Sequence, residues 1–364
     1  MSSTRKLVFA PLATLLVLLI IEGVCRVVVP SGGLQQGELE PTEGNAQAIM
    51  MRGSPFLLWE LAPGIRSGPG GTVTVNQSGF RDRERGGKQG PRVLALGDSS
   101  VYGFGVDDAG VFTSHLESAF DAEFINGAVP GYSSTQALNV LWGRGLALEP
   151  DLLIVATLWS DNNFDTFVDA DQIATYAAWR RSGTASVEAI LEHSAIYRRL
   201  EYQIRQSEPG RVGWMELKRQ APSGKRRVPI ADYARNLGEF CTTMAERGGG
   251  VVFVMLPNRH DLQGGRADPP WPPYRQVMRS MAQACDAPLV DLPSAFRADG
   301  RAFLFLDEMH PSAVGHQLMA DAIGKALKDK GWPEKPIVVR APEPISVPAD
   351  PFEGKGNQLG LFGG

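Results

Sequence analysis

The sequence predicts an α/β domain in which a parallel sheet of about five strands is covered by helices on both faces. Short apolar runs alternate with longer amphipathic segments along most of the chain, as in sheets whose parallel strands are joined by helices. The breaks between them carry Gly and Pro, such as Gly248–Gly250 before one run and Pro257 after it. An N-terminal transmembrane helix is expected to precede this domain.

The strands and helices follow one another in a regular order. The predicted strands are Arg92–Leu96, Glu123–Asn126, Leu152–Leu158, Val251–Leu256 and Pro288–Leu292. The predicted helices are Phe112–Phe120, Ser134–Glu149, Ala231–Arg247, Tyr274–Cys285 and Pro311–Lys328. Val93–Leu96 is a short continuous apolar run, which indicates a strand buried on both faces. Gly143 and Gly145 weaken the helix prediction for the second half of Ser134–Glu149.

Residues 1–30 have the composition of a membrane segment. Arg5 and Lys6 precede the apolar run Leu7–Ile21, and roughly 20 apolar residues span a bilayer core. No Ala-x-Ala cleavage pattern follows the run, so an uncleaved signal anchor is favoured over a cleaved signal peptide. Because the basic residues lie before the run, we expect a single-pass protein of the inner or plasma membrane whose globular domain is extracytoplasmic.

The rest of the chain divides by composition. Residues 31–90 are expected to form a tether and lead-in segment, with a strand at Thr72–Asn76. The globular domain is expected over residues 91–333, with an insertion at about 163–230 that contains a helical stretch, Ser186–Gln206. The Pro-rich residues 334–364 are expected to be disordered or to lie on the surface.

Composition argues against several classes of protein. A net charge of −4 and a pI near 5.8 do not fit a nucleic-acid binder. The basic pair Lys218-Arg219 and the basic triplet Lys225–Arg227 are short and are expected in a solvated loop. Cys241 and Cys285 could pair within the domain, but two buried free thiols are favoured. No spacing among the histidines suggests a metal site, and no cofactor is expected.

A candidate nucleophile follows the first strand. The chain breaks at Gly97-Asp98-Ser99-Ser100, where Gly97 allows a sharp turn and Ser99 would stand at the start of a helix. The pattern is not Gly-x-Ser-x-Gly, which excludes the usual α/β-hydrolase nucleophile turn. Ser99 could instead be a helix N-cap.

A candidate base and acid precede the last helix. Asp307 and His310 are three residues apart, and Pro311 suits the first position of that helix. A serine hydroxyl needs a base to take its proton, and the base needs a third group to orient it. Alternatively, Asp307 caps the turn and His310 is a surface histidine, with Glu308 as a competing carboxylate. The pattern predicts a serine hydrolase.

Four blocks together resemble the GDSL/SGNH hydrolase family. They are Gly97–Ser99, Asn126–Tyr132, the segment after Pro150, and Asp307–Pro311, and the resemblance covers roughly residues 92–330. The element Asn76–Arg81 is similar to one in membrane-tethered bacterial members. The resemblance implies a flavodoxin-like three-layer α/β/α sandwich that hydrolyses esters or thioesters without a metal or organic cofactor. It implies that Ser99 is the nucleophile, His310 the base and Asp307 the orienting acid.

The resemblance also implies an oxyanion hole, and here the sequence departs from the family. The backbone N–H groups of Ser99 and Gly131 match two of the family's donors. The third donor is an Asn side chain in the family, but its position here is Ser160, with Asn162 two residues later. Either side chain could donate, or both could cap the loop. Losing such a donor costs about 10²–10³ in turnover.

Several partners and functions remain open at this point. Tyr102, Tyr132 and Trp159, together with Phe104, could line an acyl or sugar subsite, although aromatic residues near strand ends are more often core. The favoured function is an extracytoplasmic serine esterase that cleaves a carboxylic ester of a small molecule, glycan or lipid. The alternatives are an O-acyltransferase on envelope polysaccharide and a catalytically decayed envelope binding protein. The membrane is the other expected partner, through the N-terminal helix.

Overall fold

The computed structural model describes residues 49–54, 56–68, 71–165, 167–181, 225–262 and 270–352, together with 14, 16–24, 26, 36–39, 194 and 196. The strands are β1 Gln36–Leu39, β2 Ile49–Ser54, β3 Leu58–Leu61, β4 Gly64–Gly68, β5 Gly71–Val75, β6 Arg92–Gly97, β7 Glu123–Asn126, β8 Leu152–Ala156, β9 Phe164–Asp165, β10 Lys225–Arg226, β11 Gly250–Met255 and β12 Leu289–Asp291. The α-helices with full bounds are α1 Ser99–Tyr102, α2 Phe112–Ala119, α3 Ser134–Val140, α4 Asp169–Arg180, α5 Ile230–Ala245, α6 Arg259–Leu262, α7 Pro272–Ala284, α8 Leu292–Asp299 and α9 Ala313–Asp329.

A five-stranded sheet forms the centre of the molecule. Its order is β12-β11-β8-β6-β7, and every neighbouring pair is parallel. Numbered along the chain within the sheet, this order is 2-1-3-4-5, the flavodoxin-like arrangement. All residues of β6, β8 and β11 are buried. The predicted parallel sheet is therefore confirmed, together with the burial expected from its apolar strands.

Helices cover the sheet in two groups. Helix α9 packs on α2 and α8, while α5 packs on α3 and α7. Each group contributes apolar side chains to one continuous core. In such a sheet, reactive groups lie beyond the carboxyl ends of the strands, and the loops after β6, β7 and β8 converge there.

The local structure differs from the prediction in two places. After Val140 the expected helix continues as a π-helical turn, Leu141–Gly145, and a 3-10 turn, Leu146–Leu148. Gly145 lies against the sheet, where a Cβ would be 2.8 Å from Leu94 Cδ2. Helix α8 was not predicted, although Asp291 caps it by accepting a hydrogen bond from the Ser294 N–H at 3.1 Å.

The lead-in segment is more structured than a tether. Strands β2 and β3 pair in antiparallel fashion, and β4 and β5 form a hairpin that includes the predicted strand at Thr72–Asn76. Met51 and Leu61 are fully buried, and Trp59 is nearly so. The expectation of a tether is therefore wrong for residues 51–54 and 56–61, because Met51, Leu57, Trp59 and Leu61 pack into the core of the domain.

The insertion also contributes to the core. Strand β10 pairs with β9, and both Arg226 and Arg227 are buried. The expectation that Lys225–Arg227 is a solvated loop is therefore wrong for the two arginines, which find carboxylate and carbonyl partners inside the protein. Most of the expected helical stretch Ser186–Gln206 and the pair Lys218-Arg219 lie outside the described residues.

The C-terminal segment packs on the domain as far as it is described. Ile337 and Val339 belong to the core, and the Val339 N–H donates to the Gly249 carbonyl at 3.2 Å. Asp350 accepts two hydrogen bonds from Arg226, at 2.8 and 2.9 Å. Disorder is therefore the wrong expectation for residues 334–352, whereas residues 353–364 lie outside the described part.

Cys241 and Cys285 form a disulfide between α5 and α7, with their Cα atoms 6.3 Å apart. The preference for free thiols is corrected by this pairing. The two helices lie side by side, which brings together cysteines 44 residues apart in sequence.

The predicted anchor is described only in part. Residues 14, 16–24 and 26 are helical, and the remaining residues of segment 1–30 lie outside the described part. Within the residues that are described, no helix combines the length and the apolar character that crossing a membrane requires.

Candidate active site

Ser99 lies where the central strand β6 gives way to α1. Asp98 caps this helix, since its carboxylate accepts hydrogen bonds from the N–H groups of Ser100 at 2.9 Å and Trp159 at 3.2 Å. Burial raises the pKa of the Asp98 carboxyl to about 6. At Gly97 a Cβ would collide with the Ala156 carbonyl of the neighbouring strand. Glycine is therefore required here because strand β8 and the Val101 side chain approach the backbone too closely for a side chain.

The three predicted catalytic residues lie in one hydrogen-bonded line. Ser99 Oγ is 2.8 Å from His310 Nε2, and His310 Nδ1 is 2.6 Å from Asp307 Oδ2. The other Asp307 oxygen accepts the N–H groups of Met309 at 2.9 Å and His310 at 2.8 Å. The Phe104 ring lies 4.6 Å from the imidazole centre. The geometry thus places an alcohol, an imidazole and a carboxylate in the order that nucleophilic catalysis needs.

The surroundings of Asp307 favour the ionised form of its carboxyl group. Burial works against ionisation, but the hydrogen bond and charge of His310 outweigh it, together with the two backbone N–H groups. The net effect lowers the pKa of Asp307 to about 2. The carboxylate is therefore ionised throughout the neutral range and can stabilise a protonated imidazole.

The two predicted backbone donors, Ser99 and Gly131, belong to the segments that follow β6 and β7. Ser99 opens α1, so its N–H has no partner within the helix. Gly131, in the loop after β7, has a φ of 81°. Within the part of the chain that the structure describes, neither N–H donates a hydrogen bond to the protein. Both remain available for a ligand oxygen.

The loop after β8 holds the two candidates for the third donor. The Asn162 side-chain amide donates to the carbonyls of Leu158 at 2.7 Å and Trp159 at 3.2 Å. Both of its N–H groups are therefore committed to the loop. The Ser160 side chain is 5% exposed, and its hydroxyl forms no hydrogen bond with any described residue. Asp161 is fully buried, which raises the pKa of its carboxyl to about 7.

Comparison with protein families agrees with this geometry. The model of the GDSL-like Lipase/Acylhydrolase family matches residues 95–318, more than half of the chain. The chain belongs to this family. It is a hydrolase of the GDSL/SGNH type, and the matched range contains every residue of the line Ser99–His310–Asp307.

Solved structures resemble this GDSL-family chain at low identity. An alpha/beta hydrolase enzyme from the metagenome of Lake Arreo is 16% identical, with a TM-score of 0.43 over 66% of this chain and 96% of that one. An acetylxylan esterase from Geobacillus stearothermophilus is 15% identical, with a TM-score of 0.41 over 66% and 95%. A lipase/acylhydrolase from Enterococcus faecalis is 15% identical, with a TM-score of 0.40 over 70% and 100%. Comparison with curated proteins gives no match.

An element before the family-matched range holds the nucleophile helix. The buried Arg81 guanidinium donates to the carbonyls of Tyr102, Gly103 and Val106, at 2.7, 2.7 and 2.6 Å. Asn76 shapes the turn by accepting the Phe80 N–H at 3.0 Å. The element Asn76–Arg81 therefore satisfies the carbonyls that the short helix α1 leaves unpaired at its C-terminal end.

The predicted substrate-lining aromatics do not all face the site. Tyr102 and Tyr132 are fully buried, and the Tyr132 hydroxyl donates to the Trp59 carbonyl at 2.5 Å. The expectation that these two residues line a pocket is therefore corrected, because both are core side chains. Trp159 is 6% exposed and packs edge-on against Trp271, with ring centres 5.5 Å apart.

Arg227 was not among the predicted site residues, although it contacts the loop that carries the second predicted donor. Its guanidinium pairs with Asp169 at 2.9 and 2.8 Å and donates to Gln136 at 2.9 Å and to the Gly131 carbonyl at 2.7 Å. Arg227 and Asp169 are 58 residues apart. No local sequence pattern indicates such a pair, and the basic triplet Lys225–Arg227 was therefore predicted to lie in a solvated loop.

Proposed function

We propose that this family member is a serine esterase that acts outside the cytoplasm and cleaves a carboxylic ester through an acyl-enzyme. The observation that carries the proposal is the hydrogen-bonded line from Ser99 Oγ through His310 to Asp307, with distances of 2.8 and 2.6 Å. The uncommitted N–H groups of Ser99 and Gly131 supply the second requirement, donors for the charge that develops on the ester oxygen.

In the proposed reaction, His310 Nε2 takes the proton of Ser99 as Oγ bonds to the acyl carbon. The negative oxygen of the tetrahedral intermediate accepts hydrogen bonds from the N–H groups of Ser99 and Gly131, with the Ser160 hydroxyl as the third donor. The intermediate collapses when the imidazolium returns its proton to the departing alcohol. A water molecule then attacks the acyl-enzyme by the same route and releases the acid.

Asp307 has an electrostatic and an orienting role in this scheme. Its carboxylate accepts the Nδ1–H of His310, which leaves the lone pair of Nε2 directed at Ser99. Because the pKa of Asp307 is lowered to about 2, the acid keeps its charge while the imidazole is protonated. The proton therefore stays on His310 until the leaving group takes it.

The proposed location outside the cytoplasm has two supports. The apolar run Leu7–Ile21 follows Arg5 and Lys6, the charge order of a signal anchor. The disulfide Cys241–Cys285 is typical of proteins in oxidising compartments. Protease digestion of intact spheroplasts tests the proposal: the catalytic domain should be cleaved without lysis, and protection until lysis would contradict it.

The catalytic proposal is tested with the full chain in detergent. Ser99→Ala and His310→Ala should each lower the hydrolysis of p-nitrophenyl esters by about 10⁴ or more, because either change removes the nucleophilic route. A fluorophosphonate probe should label the wild type and not Ser99→Ala. The matched control is Ser118→Ala, at an exposed serine that bonds only within its helix, and it should hydrolyse and label as the wild type does.

Two results would contradict the proposal. Unchanged ester hydrolysis in folded Ser99→Ala would exclude this nucleophile, and absent labelling of the wild type would favour a binding protein without catalysis. The same assay, run with acetylated sugars and with esters of increasing acyl length, defines the substrate class. Acyl transfer to an added sugar hydroxyl in place of water would point to an O-acyltransferase.

A further inference from the structure

We propose that Trp59 is a positioning residue that aims the Gly131 N–H into the oxyanion hole. This inference rests on the proposed function, since it assigns Gly131 the role of an oxyanion donor. Trp59 lies in β3, before residues 95–318 that match the family. The donor geometry would then depend on a segment that precedes the family domain.

A hydrogen bond joins Trp59 to the peptide group between Pro130 and Gly131. The indole Nε1–H donates to the Pro130 carbonyl at 3.1 Å, and this contact is buried. The Pro130 carbonyl and the Gly131 N–H belong to the same peptide group. That group is planar and trans, so its C=O and N–H point in opposite directions. Fixing the direction of the Pro130 carbonyl therefore fixes the direction of the Gly131 N–H.

The same indole limits how the loop can move. A Cβ on Gly131 would lie 3.1 Å from Trp59 Cζ2, so the ring closes the side of the glycine that a larger residue would occupy. Trp59 is itself held, because its carbonyl accepts the Tyr132 hydroxyl at 2.5 Å and its side chain is 5% exposed. The Trp59 indole is therefore held in one position and can orient the Pro130–Gly131 peptide group.

The next peptide group is fixed from the other side. Arg227 donates to the Gly131 carbonyl at 2.7 Å, and the Tyr132 N–H of that group donates to Val129 at 3.1 Å. The Arg227 guanidinium also faces the Trp59 ring at 5.6 Å. Both peptide groups that flank Gly131 are thus held, although Gly131 itself is in neither a helix nor a strand.

Holding the peptide groups on either side of Gly131 matters because an oxyanion donor is effective only when its N–H points at the oxygen. The donor must point at the oxygen when its charge develops, and losing one donor costs about 10²–10³ in turnover. The Ser99 N–H is directed by helix α1. The Gly131 N–H has no helix to direct it. In the described structure, the hydrogen bond from Trp59 orients the peptide group that contains the Gly131 N–H.

The test is Trp59→Phe in the full chain, which keeps an aromatic ring and removes the indole N–H. The turnover number for ester hydrolysis should fall about 10-fold to 100-fold while KM changes little, because the lost alignment affects the transition state alone. The rate of fluorophosphonate labelling should fall in parallel, since the phosphoryl oxygen also gains charge during attack. Thermal unfolding should show that the variant is folded at the assay temperature.

The matched control is Trp142→Phe. Trp142 also donates its indole N–H to a protein oxygen, Thr243 Oγ1 at 3.2 Å, but this contact joins the helical segment after α3 to α5. It contacts none of the proposed catalytic groups. The control should keep the wild-type kcat and labelling rate.

The outcomes separate this inference from the proposed function. If the wild type labels at Ser99 and hydrolyses esters, but Trp59→Phe has the wild-type kcat, the inference is overturned and the proposed function stands. If the wild type neither labels nor hydrolyses, the proposed function fails first. Should Trp59→Phe not fold, benzothienylalanine at position 59 replaces the N–H by sulfur in a ring of the same shape, and the same fall in kcat is expected. An unchanged kcat there would overturn the inference.

Discussion

The two sides of the proposed active site are held in different ways. On the triad side, Asp307 and His310 are three residues apart and fix each other within one turn. On the oxyanion side, the supports of Gly131 come from distant segments: Trp59 is 71 residues from Pro130, and Arg227 is 96 residues from Gly131. The groups proposed to react therefore lie in short patterns, whereas the groups proposed to aim the Gly131 N–H come from distant segments.

The largest expected effect is on the triad side. Asp307→Asn should lower kcat/KM for ester hydrolysis by about 10³–10⁴. The Asn oxygen can still accept the N–H groups of Met309 and His310, so the turn should fold. The amide NH₂ would face His310 Nδ1 and favour the tautomer with the proton on Nε2. That tautomer cannot accept the Ser99 proton.

Glu308→Gln is the matched control for this prediction. Glu308 is the neighbouring carboxylate, but its side chain lies 3.3 Å from His260 Nε2 and 3.9 Å from Arg259, away from the line to Ser99. Steady-state kinetics should show near wild-type activity for this variant. The orienting acid would have to be reassigned if Glu308→Gln were the damaging change and Asp307→Asn were not.

This difference between the two sides explains what the sequence could predict. Strands β6, β8 and β11, which contain Leu94, Ile154 and Val252, are apolar because both of their faces are buried. Such an apolar run can be recognised directly in the sequence. The pair Asp307 and His310 satisfies a local requirement, a short spacing that lets the two side chains meet. The parallel sheet and the hydrogen-bonded pair of the proposed acid and base were therefore predictable.

Trp59 and Arg227, the residues that hold the Gly131 loop, could not be predicted because their partners are distant in sequence. A tryptophan in a Gly- and Pro-rich segment has many possible partners, and nothing near Trp59 indicates the loop after β7. A buried arginine such as Arg227 becomes recognisable only beside Asp169, which the fold brings to it. The two segments that were predicted to be a tether and a solvated loop contain Trp59 and Arg227. The burial of both residues depends on long-range contacts.

A smaller effect, on stability, is expected on the oxyanion side. Arg227→Met should lower the free energy of unfolding by about 3–5 kcal/mol, because it leaves the fully buried Asp169 carboxylate without its partner. The kcat should also fall, since the Gly131 carbonyl loses its donor. The double variant Arg227→Met/Asp169→Asn should recover part of the stability, as the uncompensated charge is gone, and leave kcat low.

Urea unfolding and steady-state kinetics measure these two effects separately. The control is Arg340→Ala, which removes a half-exposed arginine paired with Asp286 and Glu343. Exposed ion pairs of this kind contribute about 0–1 kcal/mol. If Arg227→Met were no more destabilising than Arg340→Ala, the buried pair would not be what holds the loop.

The smallest expected effect distinguishes the two candidates for the third donor. Ser160→Ala should lower kcat about 10²-fold, the lower end of the cost of losing one oxyanion donor, with KM nearly unchanged, because only the transition state uses the hydroxyl. Asn162→Ala should instead lower the free energy of unfolding by about 1–3 kcal/mol, since the buried carbonyls of Leu158 and Trp159 lose their donor.

The two variants are compared by kcat on the folded protein and by urea unfolding under the same conditions. A fall in kcat for Ser160→Ala at unchanged stability would place its hydroxyl in the oxyanion hole, where the family has an amide. The reverse pattern, a kinetic loss confined to Asn162→Ala, would require the loop after β8 to move so that the amide leaves its carbonyls when substrate binds. The third donor would then be created by binding, in contrast to Gly131, whose flanking peptide groups are already held in the free protein.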